Sequence, residues 1–177
     1  SSCKAGKFSA ATGATSEATC SQCPEGQWSS ANSSGCTRCA IGKFNKFKGK
    51  GSIDYCLKCE AGSYTNAQGS ATCEACEIGR FQATKGQTSC ALCGEGTSNP
   101  SRGGNAAASC AKCLKGHYQD GTGKPSCKAC GKGTYQDELG SDGCVECTAG
   151  TFNMFSAQTH HAACVNCSPG SYSDADG

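Results

Sequence analysis

The stretch CLKCEAGSYTNAQGSATCEACEIGRFQATKGQTSCALC, residues 56–93, decides how the chain folds. A C-x-x-C pair at Cys56/Cys59 leads into Gly62 and Tyr64, a polar tip follows, and the pair returns at an even interval as Cys73/Cys76 and again as Cys90/Cys93. Gly62 and Gly79 stand where the backbone must turn out of the cysteine pair, a place where a residue without a Cβ costs least. Tyr64 and Phe81 give each unit one large apolar side chain.

Read outward in both directions, the chain is this unit many times over. Beyond Cys3 the cysteines form nine pairs: Cys20/Cys23, Cys36/Cys39, Cys56/Cys59, Cys73/Cys76, Cys90/Cys93, Cys110/Cys113, Cys127/Cys130, Cys144/Cys147 and Cys164/Cys167. The x-x-Gly-x-aromatic signature follows at Gly6/Phe8, Gly26/Trp28, Gly42/Phe44, Gly62/Tyr64, Gly79/Phe81, Gly116/Tyr118, Gly133/Tyr135, Gly150/Phe152 and Gly170/Tyr172, and Gly96/Ser98 breaks it. The modules come in two lengths, in an order that repeats from Cys36 onward. Cys36, Cys90 and Cys144 are in phase, as are Cys56, Cys110 and Cys164, so three modules make a 54-residue super-repeat.

Composition agrees with this pattern. Of 177 residues, 19 are cysteine, whereas Leu, Ile, Val and Phe are together fewer than the cysteines, too few for a conventional hydrophobic core. The net charge of +2 excludes a polyelectrolyte tail and gives no footprint for nucleic acid. Cysteine this dense is the mark of oxidising compartments, so the chain is expected to be secreted or displayed at a cell surface. No apolar run approaches the roughly 18 residues of a membrane span, and no direct membrane insertion is expected.

Each module reads as a small hairpin: a turn through Gly, a short segment with one aromatic, a Gly/Ser/Asn/Thr tip and a return arm such as GSATC, GQTSC or KPSC. A lone two-stranded hairpin is marginal in water, so it needs closing. The economical wiring joins the second cysteine of each pair to the first of the next: Cys3 to Cys20, Cys23 to Cys36, Cys39 to Cys56, Cys59 to Cys73, Cys76 to Cys90, Cys93 to Cys110, Cys113 to Cys127, Cys130 to Cys144 and Cys147 to Cys164. Cys167 is left to pair with a residue outside the chain. Bonds within each C-x-x-C, or zinc held by neighbouring pairs at near zinc-ribbon spacing, are the competing uses of these thiols. The expected fold is therefore small and disulfide-rich, with tandem β-hairpin modules stacked into an elongated rod or solenoid and no helix of note. Its modules are residues 3–20, 23–36, 39–56, 59–73, 76–90, 93–110, 113–127, 130–144 and 147–164, with a partial one at 167–177: one continuous array of about nine and a half. Each aromatic is expected to cover a neighbouring disulfide. Only the ringless module CGEGTSNPSRGGNAAASC, residues 93–110, is expected to be locally remodelled.

The pattern C-x-x-C-x-x-G-x-[FYW] resembles the ephrin-receptor-like cysteine-rich repeat, within the wider growth-factor-receptor and TNF-receptor-like cysteine-rich group. The resemblance is clearest in CSQCPEGQWSS (residues 20–30), CEACEIGRFQA (73–83) and CVNCSPGSYSD (164–174), and the pattern runs through essentially the whole chain. It implies secretion, disulfide bonding and a scaffolding or spacer role without enzymatic activity, as in surface proteins of protists and algae.

Candidate chemistry is sparse. Thioredoxin-like redox work needs a C-x-x-C at a helix N-terminus, and nothing here has helical periodicity. His117, His160 and His161 read as loop histidines, no Ser/His/acid arrangement presents itself, and no cofactor is expected. Asp174 and Asp176 alternate like a calcium loop but supply too few ligands. Asn32-Ser33-Ser34 is an N-glycosylation sequon at a module tip, and Asn166-Cys167-Ser168 is a weaker one. Lys43, Lys46, Lys48 and Lys50 interleave with Phe44 and Phe47, and the Phe-Asn-x-Phe pattern recurs as Phe152 and Phe155, two super-repeats later. These rings are candidate lateral contacts and the lysines a candidate surface for anionic polysaccharide.

The leading expectation is thus a structural extracellular protein, a rod or the protomer of a flagellar-hair-like surface fibre, whose partners are other copies, matrix proteins or glycans. The alternatives are the ligand-binding ectodomain of a receptor and, further off, a zinc-binding C-x-x-C scaffold.

Overall fold

The computed structural model describes residues 3–11 and 16–172. Among them, two-stranded antiparallel ladders of two residues per strand recur, nine in all, from Lys7–Phe8 paired with Ser21–Gln22 to Thr151–Phe152 paired with Val165–Asn166. There is no α-helix among the described residues. The protein is a small disulfide-rich fold made mostly of hairpins.

The hairpin is assembled from its glycine. Gln27 N–H donates to the Pro24 carbonyl, closing a turn whose third residue, Gly26, has φ of +76°. That conformation favours glycine. Gln27–Trp28 then run as a strand whose partners are Thr37–Arg38, the two residues inside the next cysteine pair. Sequence reading puts the return strand ahead of that pair, in segments such as GSATC. The structure puts it between the two cysteines, because only there do ladder bonds, the cystine and the turn close together: Cys23 bonds Cys36, and Cys39 N–H donates to the Gly26 carbonyl at 2.8 Å.

Nine disulfides link each second cysteine to the first of the following pair, from Cys3–Cys20 to Cys147–Cys164, with Cα atoms 5.4 to 5.8 Å apart. Sequence separations are 13 or 14 residues in the short modules and 17 in the long ones. The extra residues of the long modules are taken up by single 3-10 turns ahead of the first cysteine, at Glu17–Thr19, Ile53–Tyr55, Ala107–Ser109 and His161–Ala163. The ringless module keeps the common pattern, Thr97–Ser98 pairing with Ala111–Lys112, so the remodelling expected there does not occur. The ladder is a backbone construction that the missing ring leaves intact.

The chain forms two compact units, one of Ser1–Cys76 with Gln82–Cys90 and the other of Glu77–Phe81 with Ala91–Gly177. Inside the first, Gly26 N–H donates to the Asn45 carbonyl at 2.7 Å, and a Cβ at Gly26 would overlap the Gly69 carbonyl, so modules touch both their next and their next-but-one neighbours. Inside the second, Gly116 N–H donates to the Gln136 carbonyl and faces the Ala157 carbonyl in the same way. The core of both units is sulfur: Cys23, Cys59, Cys76, Cys93 and Cys130 have no exposed surface, while rings such as Trp28, Phe81 and Tyr118 are half-buried.

Candidate functional site

What the core lacks in aliphatic residues it makes up with polar ones. At the third position after each turn glycine from Gly26 to Gly150 stand Ser29, Asn45, Thr65, Gln82, Asn99, Gln119, Gln136 and Asn153; all but the half-buried Gln82 are at most 6% exposed. Buried polar groups are costly unless bonded. Their backbones are bonded: each carbonyl accepts from the turn glycine of the preceding module, and Asn45 N–H donates to the Ser70 carbonyl of the following module at 3.1 Å. The asparagine and glutamine side chains divide by module length, whereas Ser29, in a short module, donates back to the Lys7 carbonyl of the preceding module at 3.1 Å. Asn45, Asn99 and Asn153, in long modules, donate back to the Gln27, Arg80 and Thr134 carbonyls of the preceding module at 2.9 to 3.1 Å. Gln82, Gln119 and Gln136, in short modules, donate to the Ser89, Ser126 and Gly143 carbonyls of their own return arm. Gln119 Oε1 is the exception to full pairing, a buried acceptor with no partner.

Sequence reading missed this position. The signal was available: a neutral hydrogen-bonding side chain stands at glycine plus three in every module, with Asn45, Asn99 and Asn153 in the phase of the super-repeat.

The candidate contact residues fall on two levels. Phe44 and Phe152 are half-buried in their ladders opposite Leu57 and Val165. Phe47 and Phe155 project, 45% and 66% exposed. Each is held by a nearby side-chain amide, since Phe47 N–H donates to Asn45 Oδ1 at 3.0 Å and Phe155 N–H to Asn153 Oδ1 at 2.9 Å. Lys50 Nζ lies 4.8 Å from the Phe47 ring centre and 4.4 Å from that of Tyr55, with Lys46 at 5.2 Å from Phe47, so the basic run wraps its own rings. Lys43, within the ladder, is half-buried, and Lys48 is exposed.

Asn32 is exposed at its tip with φ of +65°, and its N–H donates to the Cys3 carbonyl at 2.9 Å, leaving the side-chain amide in solvent. Asn166 is exposed within the last ladder, beside Cys167, which is unpaired among the described residues. His117 Nδ1 is 3.2 Å from the Lys115 carbonyl, and His160 and His161 are exposed around the last 3-10 turn. Asp174 and Asp176 lie outside the described residues. No group of three metal-ligating side chains converges among the described residues, and no helix there is long and apolar enough to cross a membrane. The local electrostatics are those of surface pairs: Lys128, hydrogen-bonded to Asp120 at 2.7 Å, holds that carboxyl below the usual aspartate range, and Lys7 and Lys4 do the same for Glu17.

Glycine turn, two-residue ladder and neighbour-to-neighbour cystine together define a tandem cysteine-rich repeat. Residues 62–110 and 103–143 match the family model described as tyrosine-protein kinase ephrin type A/B receptor-like, and that stretch carries the ephrin-receptor-like cysteine-rich repeat. That family is a non-enzymatic, receptor-like repeat of extracellular character. No curated protein matches the chain.

Proposed function

We propose that this chain is a structural segment of an extracellular protein, a stiff spacer or the protomer of a surface fibre, glycosylated at Asn32 and without enzymatic activity. The observation that carries the reading is the spacing of the staples. Only the two residues inside a C-x-x-C separate the cystine that closes one module from the one that opens the next, so no flexible linker interrupts the array. Each local cystine removes roughly 3 kcal/mol of loop entropy from the unfolded chain in the entropic model, and stability of tandem repeats is close to a nearest-neighbour sum. Mechanical resistance and protease resistance follow, while variable tips are free to carry sugars or lateral contacts. Its partners are further copies, other matrix proteins and glycans.

A receptor ectodomain is the second reading. The family description favours it, and the Lys43 to Lys50 run with its wrapped rings is a local departure of the kind a binding site makes. Labelling native cells with an antibody to this segment, followed by detergent extraction, separates the two. The structural reading expects label along detergent-insoluble filaments that reduction releases. Detergent-soluble, membrane-confined label at low copy would refute it in favour of the receptor.

A further inference from the structure

A groove of about 340 Å³ opens beside Ser98. Pro100, Leu114, His117, Pro125 and the Cys113–Cys127 cystine line it with Lys112 and Ser126, and Ser98 Oγ lies 3.4 Å from Cys127 Sγ. A groove at the equivalent place flanks Tyr135 against Cys147 and Cys164, but its walls are Glu146, Thr148, Thr151 and His161. Leu114 stands where that groove has Thr148, His117 where it has Thr151, and Ser98 where it has a tyrosine ring. The two grooves are similar in size, at about 340 and 370 Å³, so they differ in chemistry: two prolines and Leu114 give the Ser98 groove the more apolar lining.

The same unit carries a matching projection. Phe155 is 66% exposed beside Met154 at 60%. Its backbone is held, because its N–H is bonded to the buried Asn153, which is anchored in turn on the Thr134 carbonyl. Phe47, two super-repeats earlier, is covered by lysine ammonium groups; among the described residues none lies over Phe155. Charge complements shape. Residues 103–132, around the groove, carry Lys112, Lys115, Lys124, Lys128 and Lys132 against Asp120 alone, whereas residues 133–167, around the projection, carry Asp137, Glu138, Asp142 and Glu146 with no lysine or arginine.

We propose that the Ser98 groove receives Phe155 of a second copy of this chain. Groove and projection are different surfaces, so the contact is heterologous: a copy that accepts a ring still offers one, and association propagates instead of closing into a pair. An aromatic anchor seated in a desolvated groove is the type of residue that dominates interface energetics, and the opposed charges steer its approach. The inference rests on the structural reading and supplies the subunit contact that a fibre needs.

Sedimentation velocity on the oxidised full chain at low salt tests it. The weight-average sedimentation coefficient should climb without a plateau up to about 100 μM. Phe155→Ser and Leu114→Glu should each weaken association by roughly tenfold or more. Both replacements are residues that the repeat already uses at these positions, since Ser101 is in phase with Phe155, and Glu60 and Glu77 follow their cysteine pairs as Leu114 does. Mixed in equal amounts, the two variants should form a pair and stop, because F155S keeps its groove and L114E keeps its ring. A wild-type chain that stays monomeric, variants that associate like wild type, or a mixture that stays monomeric overturns the proposal. Labelled filaments in cells together with unaffected variants would remove this contact while leaving the structural reading in place.

Discussion

The modules at residues 39–56, 93–110 and 147–164 and those at 76–90, 113–127 and 130–144 build the same ladder around cystines spanning 17 and 14 residues respectively. They differ in where the buried amide goes. In the short modules a carbonyl seven residues on is within reach of glutamine, and the side chain closes its own hairpin. In the long modules a 3-10 turn sits ahead of the closing cysteine, and the shorter asparagine bonds the strand of the preceding module instead. One module in each super-repeat is therefore bolted to its predecessor by an asparagine side chain. Among these six modules loop length thus goes with whether the amide stabilises one module or couples two, while Ser29, in the short module at 23–36, reaches its predecessor through a hydroxyl.

The largest effects should come from the cystines, and they should not distinguish the two classes. Replacing both cysteines of Cys93–Cys110 or of Cys130–Cys144 by serine is expected to cost about 3 kcal/mol each, and the loop-length term differs between them by only about 0.2 kcal/mol. Peptide-resolved hydrogen exchange should show protection lost in the altered module and its immediate neighbours, with distant modules unchanged. A clearly larger loss at Cys93–Cys110 would place the difference between the classes in the staple and not in the amide.

Smaller in size but different in reach are the amide deletions. Asn45 and Gln136 are both buried and each makes two side-chain hydrogen bonds, so replacement by alanine is expected to cost about 1 to 3 kcal/mol in either case. Asn45→Ala should raise exchange in the preceding module, residues 23–36, as well as its own. The loss in Gln136→Ala should stay within residues 130–144. Equal reach for the two variants would dissolve the distinction between bolting and internal closure.

The framework was open to reading because cysteine and glycine each do one thing here. A cysteine pair at the head of every module, with a glycine three positions after its second member, leaves little freedom in the chain path, and the hairpin class follows. The return strand was not open to reading: Leu57–Lys58 or Ala111–Lys112, enclosed by two cysteines, carry no alternation that marks a strand, and only the backbone ladder reveals them. Asn45 and Gln136 were passed over because a polar residue after an aromatic looks like loop, and its burial comes from modules on both sides that a single-module reading does not contain. At Ser98 the missing ring was legible and a remodelled module was expected, whereas the ladder is intact and the groove there differs from the one beside Tyr135 in its apolar lining, which only the folded neighbours bring together.

The smallest expected effect lies inside the long class. Ser52 Oγ accepts a hydrogen bond from Asp54 N–H at 3.2 Å and caps the 3-10 turn Ile53–Tyr55, whereas Ala106 and His160, the residues in phase with it, make no such bond. Their backbones are nevertheless already extended in the same way, with φ and ψ of −142° and 150° at Ser52, −151° and 158° at Ala106 and −148° and 148° at His160. A serine hydroxyl in place of the Ala106 methyl would therefore reach the Ala108 N–H, the counterpart of the Asp54 N–H, without rearranging the chain. Side-chain caps of helical turns contribute about 0.5 to 1 kcal/mol, and a single 3-10 turn should sit at the low end. Ala106→Ser is expected to slow exchange at the Cys110 N–H, which closes the turn on the Ala107 carbonyl, and Ser52→Ala to speed it at Cys56 by a similar factor. If both substitutions leave exchange unchanged, the turns are held by their cystines alone, and the capping serine is incidental to how the long modules absorb their extra residues.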